Sequence, residues 1–303
     1  MSDAPSLSSL TESELSSRLN GAGLVVSIPP FKIQIKSPIP VVAEGLRALY
    51  GAYGLVNEPD SFRDFHLGLV PRMGWRRPLC ELDVDGMRPF TPLARGEAFA
   101  LFEWGLNWCI TSHCHNWLTI HAAVVERNGL AVIMPAPPGS GKSTLCAWLM
   151  HQGWRLLSDE LALVDPQSGL LTACPRPISL KNNSIQLMKG LLPKAVFGPI
   201  AHDTSKGTVA HMGVSDTSLQ RASESALPRW IVFPQYTPGA PLSVHQIEHP
   251  QALVELASNS FNYHVHGRSG FERLAAMIDN CDVVQLTYSR LDEATAWFDG
   301  LSG

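Results

Sequence analysis

The segment Phe31-Lys32-Ile33-Gln34-Ile35 alternates apolar and polar residues at every step, the pattern of a strand with one buried face. Across Pro29-Pro30 stands a second short apolar run, Leu24-Val25-Val26-Ser27-Ile28, which reads as its partner strand. Val41–Tyr50 has helical periodicity. Phe65–Val70 and Cys80–Val84 read as strands, and the Asp85-Gly86 that follows is a hairpin turn signal. Glu97–Cys109 is a strongly apolar helix. Residues 1–20 are polar and Ser-rich, with one short helix over Thr11–Leu19, and are expected to form a flexible N-terminus. Residues 21–115 then form a small α+β N-terminal domain with no catalytic constellation.

The pattern changes near residue 117. Leu118–Val125 is a strand, Asn128-Gly129 a turn, and Leu130–Met134 a buried strand that runs into Pro135-Ala136-Pro137-Pro138-Gly139-Ser140-Gly141-Lys142-Ser143-Thr144. A helix follows, with Leu145, Trp148 and Leu149 on one face. Later strands are expected at Leu161–Val164, Trp230–Phe233, Leu242–Ile247 and Val283–Thr287, with helices at Gln251–Ser258, Gly270–Ile278 and Asp292–Leu301. The polar stretch 202–225 reads as a mobile loop or lid. Strands alternating with helices predict an α/β domain over 116–303.

Composition narrows the picture. The chain has 303 residues, 45% apolar, and a net charge of -4. No basic excess marks a nucleic-acid surface, so no nucleic-acid partner is expected. No run of about 18 apolar residues occurs, so no membrane span is expected. The first residues lack a signal-peptide pattern, which leads to an expectation of a cytoplasmic protein. Six scattered cysteines lack framework spacing and read as buried thiols. The cluster Cys109, His113, Cys114 and His115 reads as packed or solvated residues, and His264 and His266 as one strand face.

The glycine-rich segment carries the candidate chemistry. A polyphosphate needs several backbone N–H groups aimed at one point, and glycines let the backbone curl close to it. The helix behind presents its own N-terminal N–H groups and dipole. Ala136, Pro138, Gly139, Ser140, Gly141, Lys142, Ser143 and Thr144 are therefore the nucleotide-binding candidates. Lys142 reaches the β- and γ-phosphates, and the Ser143 hydroxyl faces magnesium. Ala136 stands where the strict Walker A pattern has glycine. A P-loop enzyme also needs a carboxylate for the metal and, in a kinase, a base for the attacking hydroxyl. Asp159 and Glu160 stand one helix and one short strand beyond Lys142. His121, in the strand before the loop, is a further candidate.

Taken together, His121, Ala136–Ser143 and Asp159-Glu160 resemble the catalytic domain of HPr kinase/phosphorylase, and more specifically the subgroup called HprK-related kinase A. Ser179-Leu180-Lys181-Asn182 and Tyr288–Ala294 carry the likeness further. The resemblance implies a P-loop kinase fold related to phosphoenolpyruvate carboxykinase. It implies that Asp159 abstracts the hydroxyl proton, that His121 tunes or orients it, and that Ser143, Glu160 and Asp159 serve the metal. Two departures stand out: Glu160 replaces the second Asp of the family's acidic pair, and 179–182 carries no carboxylate.

The expected function is ATP- and Mg2+-dependent transfer of the γ-phosphate to a serine-type hydroxyl on a protein or peptide. The subgroup's association with peptide-modification gene cassettes points towards a ribosomal peptide precursor as acceptor, and HPr kinases assemble as hexamers, so a homo-oligomer is expected. Lys181, Arg176 and Arg268 are the basic candidates to face the γ-phosphate. The alternatives are a P-loop nucleotide hydrolase and a nucleotide-binding regulatory protein.

Overall fold

In the computed structural model, residues 5–58, 61–75 and 77–301 are described. The chain forms two compact units and passes between them more than once. Unit 1 takes in residues up to Ile110 and Ser179–Leu219, and unit 2 takes in Thr111–Ile178 and the residues from Gln220 onward. A single cut at 115–116 therefore does not describe the molecule, because 179–219 belongs with the N-terminal residues.

Unit 1 contains α1 (Glu12–Asn20), close to the short helix expected over Thr11–Leu19 within a segment otherwise expected to be flexible. Thr11 and Glu14 form a reciprocal capping box at its start, and Leu15 and Leu19 are buried. The polar composition of this segment hid a two-residue apolar stripe sufficient to dock it. β1 (Leu24–Ile28) and β2 (Phe31–Lys36) pair antiparallel across Pro29-Pro30, with Phe31, Ile33 and Ile35 facing inward. α2 (Pro40–Leu49) follows, then β3 (Gly54–Leu55), β4 (Phe65–Arg72), β5 (Leu79–Val84) and β6 (Leu93–Ala94). These make a six-stranded sheet of order β3-β1-β2-β4-β5-β6. Asp85 and Gly86 both adopt positive φ in the turn after β5, as the Asp-Gly signal implies. Glu103 of α3 (Ala98–His113) is buried and accepts a hydrogen bond from Tyr50 at 2.6 Å.

Unit 2 begins with β7 (Leu118–Arg127) and β8 (Leu130–Pro135), an antiparallel hairpin closed by Asn128 and Gly129 at φ 56° and 84°. Then come α4 (Lys142–His151), β9 (Arg155–Ser158), β10 (Leu161–Val164) and β11 (Leu171–Thr172). The chain next returns to unit 1. There β12 (Ile178–Lys181), α5 (Asn183–Leu191), β13 (Ala201–Thr204), β14 (Gly207–Met212) and α6 (Asp216–Gln220) form, and the three strands make a separate sheet of order β12-β14-β13. The expected mobile loop over 202–225 is thus largely a paired hairpin followed by a short helix. Its strands are short, β14 is buried over four successive residues and the buried positions include Thr204 and His211, so their alternation is weak in the sequence.

The last stretch completes unit 2 with β15 (Leu227–Tyr236), β16 (Ser243–Gln246), α7 (His249–Ser258), α8 (Arg268–Asn280), β17 (Asp282–Tyr288) and α9 (Leu291–Asp299). The main sheet runs β11-β10-β7-β8-β15-β17-β16, with β9 also paired to β7. β8, β15 and β17 are parallel neighbours. Leu118, Ile120, Ala122 and Val124 of β7 share one core with Ala252, Leu256, Leu274 and Met277 of α7 and α8. α4 and α9 meet through a 2.8 Å hydrogen bond from Trp148 to Thr295, so Trp148 is half-buried while Leu145 and Leu149 are fully buried. The architecture is mixed α/β with several sheets. Among the described residues no helix is long and apolar enough to cross a membrane.

Candidate active site

The sheet of unit 2 delivers its chemistry to one end. β8, β15 and β17 run parallel and finish at Pro135, Tyr236 and Tyr288. In an open α/β sheet, the crevice outside the carboxyl ends of parallel strands is where ligands bind. The glycine-rich loop leaves β8 at this end and turns directly into α4.

Two glycines of the loop have different jobs. Gly139 has φ 90°, and a Cβ there would meet nothing within 4 Å, so the loop's crown faces open space. Gly141 has φ 88° and is the N-cap of α4. A Cβ on Gly141 would come within 2.5 Å of the Tyr288 hydroxyl and 2.9 Å of Tyr236 Cβ. Glycine is required at 141 for both conformation and space. The loop is braced from the neighbouring strand ends: Tyr236 N donates to Ser140 O at 2.9 Å, and the Tyr288 hydroxyl donates to Gly141 O at 3.2 Å. Burial pushes the Tyr288 phenol far up, so it stays a donor at any ordinary pH. Neither tyrosine was given a role on the sequence. Their contribution depends on strands that close against the loop from about 100 and 150 residues downstream, a separation no local pattern reports.

No side chain caps the first turn of α4, which contains Lys142, Ser143 and Thr144. Lys142 is buried, and Ser140 Oγ is buried without a hydrogen-bond partner among the described residues. Cys146, one turn beyond Lys142, is fully buried. Its thiol is pushed well up, first by burial and then by the negative charge of Asp159, while Lys142 pulls it down. Lys142 and Asp159 thus both act on the Cys146 thiol.

The register accounts for this. On one edge of β7, Ala122 and Ala123 oppose Pro135 and Met134, the base of the loop. On its other edge, Val124 opposes Ser158 and His121 opposes Leu161. The turn Asp159-Glu160 is thus carried to the level of Ala122-Ala123, one strand spacing from β7 and about 10 Å from the loop's strand. Ser158 Oγ accepts the Leu161 N–H at 3.0 Å and holds the turn. Asp159 is buried, whereas Glu160 is partly exposed and lies 3.3 Å from His121 Nε2. The resemblance implies that His121 tunes or orients Asp159; in the structure the carboxylate it pairs with is Glu160. Of the basic candidates, Arg268 is exposed and bound to Glu272 at 2.7 Å, Arg176 is buried, and Lys181 belongs to unit 1.

Among the described residues no group of three or more His, Cys, Asp or Glu gathers as a metal site, at Cys109–His115 or elsewhere. A hard cation that shares its shell with phosphate oxygens needs only one or two carboxylates and a hydroxyl from protein. Ser143, Asp159 and Glu160 are of that kind, and the orphaned Ser140 hydroxyl beside an open glycine crown fits an anionic oxygen.

Fold and site together define a class: an α/β sheet with a glycine-rich strand–loop–helix turn, a buried lysine and an acidic turn at one end. Among known proteins, a family model described as SynChlorMet cassette protein ScmC matches residues 106–183. That span holds His121, the loop and Asp159-Glu160, but well under half of the chain. No curated protein matches the chain. Among solved structures, the HPr(Ser) kinase/phosphatase from Coxiella burnetii is similar over 60% of this chain and 99% of that chain, at 10% identity and a TM-score of 0.23. A likeness at that level carries no argument about fold or chemistry.

Proposed function

We propose that this chain is a P-loop phosphotransferase, a kinase that moves the γ-phosphate of ATP to a serine-type hydroxyl on a peptide or protein. The observation that supports it best is the register of β7, which pairs Ala122-Ala123 with the base of the glycine loop on one edge and Val124 and His121 with Ser158 and Leu161, the residues flanking the Asp159-Glu160 turn, on the other. The amides of Gly139–Thr144 cradle the phosphates, with Ala136 and Pro138 shaping the entry. Lys142 neutralises charge on the β- and γ-oxygens, and the Ser140 hydroxyl donates to one of them. Bound Mg2+ would offset the charge that develops on the phosphate oxygens. The Ser143 hydroxyl and the carboxylates of the Asp159-Glu160 turn would hold it. Asp159 receives the proton of the attacking hydroxyl, and His121, bound to Glu160, fixes the turn in register.

The test is incubation with γ-labelled ATP, Mg2+ and hydroxyl-bearing peptides, beside an Asp159→Asn variant. Label on a peptide, lost in Asp159→Asn, is the expected outcome. Free phosphate alone would instead support a nucleotide hydrolase, and bound ATP without turnover a regulatory nucleotide-binding protein. Full transfer by Asp159→Asn would remove the base assignment.

A further inference from the structure

β7 extends past its neighbour. β8 ends at Pro135, opposite Ala122, so the edge of β7 from His121 back to Trp117 lies beyond the strand that feeds the glycine loop. That vacated edge is taken by the connection between α7 and α8. His121 N donates to Asn259 O at 2.7 Å, Phe261 N donates to Thr119 O at 2.9 Å, and Ile120 bridges Ser260. Ser260 Oγ donates to Thr119 O at 3.1 Å. Asn262, 1% exposed, accepts from Thr119 N and donates to Trp117 O, both at 2.8 Å. A buried amide with both ends satisfied fixes backbone at high cost to any alternative.

This tightly tied connection holds apolar side chains outward. Phe261 is 43% exposed, and its ring lies 5.8 Å from the ring of His121, the residue bound to Glu160. Val265, one turn on, is 53% exposed. Somewhat more than half of Phe261 is covered, which helps to hold the ring in place, and the remainder stays open to solvent beside the His121–Glu160 pair. Tyr236 and Tyr288 brace the loop from the β15–β17 side. On the other side of β8, next to the His121–Glu160 pair, the Phe261 ring is the partly open apolar surface.

Resting on the phosphotransferase reading above, we infer that Phe261 is a specificity-determining residue: it binds an apolar or aromatic side chain adjacent to the hydroxyl residue of a peptide acceptor. The interaction is non-covalent, a ring face covered on binding, and selects the acceptor without touching the nucleotide.

The test uses full-length protein with γ-labelled ATP, Mg2+ and synthetic serine peptides carrying Leu, Phe, Gln or Glu within two residues of the serine. Wild type is expected to favour the Leu and Phe peptides by about tenfold or more in kcat/KM. Phe261→Ser should erase that preference by raising the KM for peptide, with the KM for ATP within about twofold of wild type. Phe261→Leu, which keeps an apolar surface, should retain the preference and guards against a folding defect. Equal use of all peptides by wild type, an unchanged preference in Phe261→Ser, or a loss confined to the KM for ATP overturns the inference and leaves phosphotransfer standing. ATP turnover with no peptide labelled at all overturns phosphotransfer, and this inference with it.

Discussion

The two ends of β7 in unit 2 treat charge in opposite ways. At the far end Glu126 and Arg155, directly opposed across β7 and β9, form a fully buried ion pair. Arg155 also donates to the carbonyls of Arg221 and Glu224, at 2.7 and 2.9 Å, and Glu126 accepts from Gly129 N in the hairpin turn. At the near end His121 and Glu160 are both about a quarter exposed and 3.3 Å apart, beside a loop whose crown meets open space. The far end spends its charges on one another and on backbone. The near end leaves its pair partly open to solvent. Buried pairs of the first kind lock a connection, here the point where the chain re-enters unit 2. Partly open pairs of the second kind are the sort that act on something else.

If that contrast is right, substitutions at the two ends should fail in different ways. The largest effect is expected at Lys142. Lys142→Ala should lower phosphate turnover by about a thousandfold or more, measured by labelled-phosphate release, with far-UV circular dichroism unchanged. Glu126→Gln should do the reverse. It leaves the buried Arg155 guanidinium without its counter-charge and should destabilise by about 3–5 kcal/mol, read from urea unfolding, while kcat per folded molecule holds. Glu160→Gln sharpens the comparison, because a partly exposed pair contributes about 1 kcal/mol or less. Its unfolding midpoint should barely move while turnover falls. If Glu160→Gln unfolds the protein as readily as Glu126→Gln does, the two ends are not distinct.

Smaller effects are expected inside the loop. Gly141→Ala imposes a positive φ on a residue with a Cβ, which costs about 1–3 kcal/mol, and drives that carbon into the Tyr288 hydroxyl. Nucleotide affinity should fall in equilibrium titration. Tyr288→Phe loses one hydrogen bond, about 1 kcal/mol, and should weaken binding less. Gly139→Ala should keep its fold more nearly intact than Gly141→Ala, since only the φ strain applies.

A pH dependence is shared by both units. Burial pushes Cys80 from 9.0 up to about 11 and Cys281 from 9.0 up to about 12. Both thiols stay protonated in the fold, so their contribution is intact below pH 9. It is lost as pH rises through the folded values, because the unfolded chain releases those protons first. The urea midpoint should therefore fall between pH 9 and pH 11, less so in a Cys281→Ala variant.

Much of this was legible in the residues. The strict alternation of 31–35, the Asp85-Gly86 and Asn128-Gly129 turns and the strand–glycine loop–helix run all report local geometry, and each appears in the structure. One helix and one strand, α4 and β9, also lie between the glycine loop and Asp159, as the spacing implies. What stayed hidden is contact made over distance. Nothing near Arg155 announces Glu126 or the carbonyls of 221 and 224. Nothing near Gly141 announces Tyr288. The hairpin 201–212 lacked alternation because β14 is buried over four successive residues and the buried positions include the polar Thr204 and His211, so it resembled a loop. The crossing of 179–219 into unit 1 is a fact of tertiary packing that no periodicity encodes.

The account stands on Lys142 and Asp159 serving one bound polyphosphate. Calorimetric titration with a non-hydrolysable ATP analogue, with and without Mg2+, on wild type, Lys142→Ala, Asp159→Asn and the double variant addresses this directly. The account predicts that wild type binds and that Mg2+ tightens binding. Asp159→Asn should lose the Mg2+-dependent part alone, and the two substitutions should combine non-additively. Strictly additive effects, or an Asp159→Asn protein with an undiminished response to Mg2+, would contradict it.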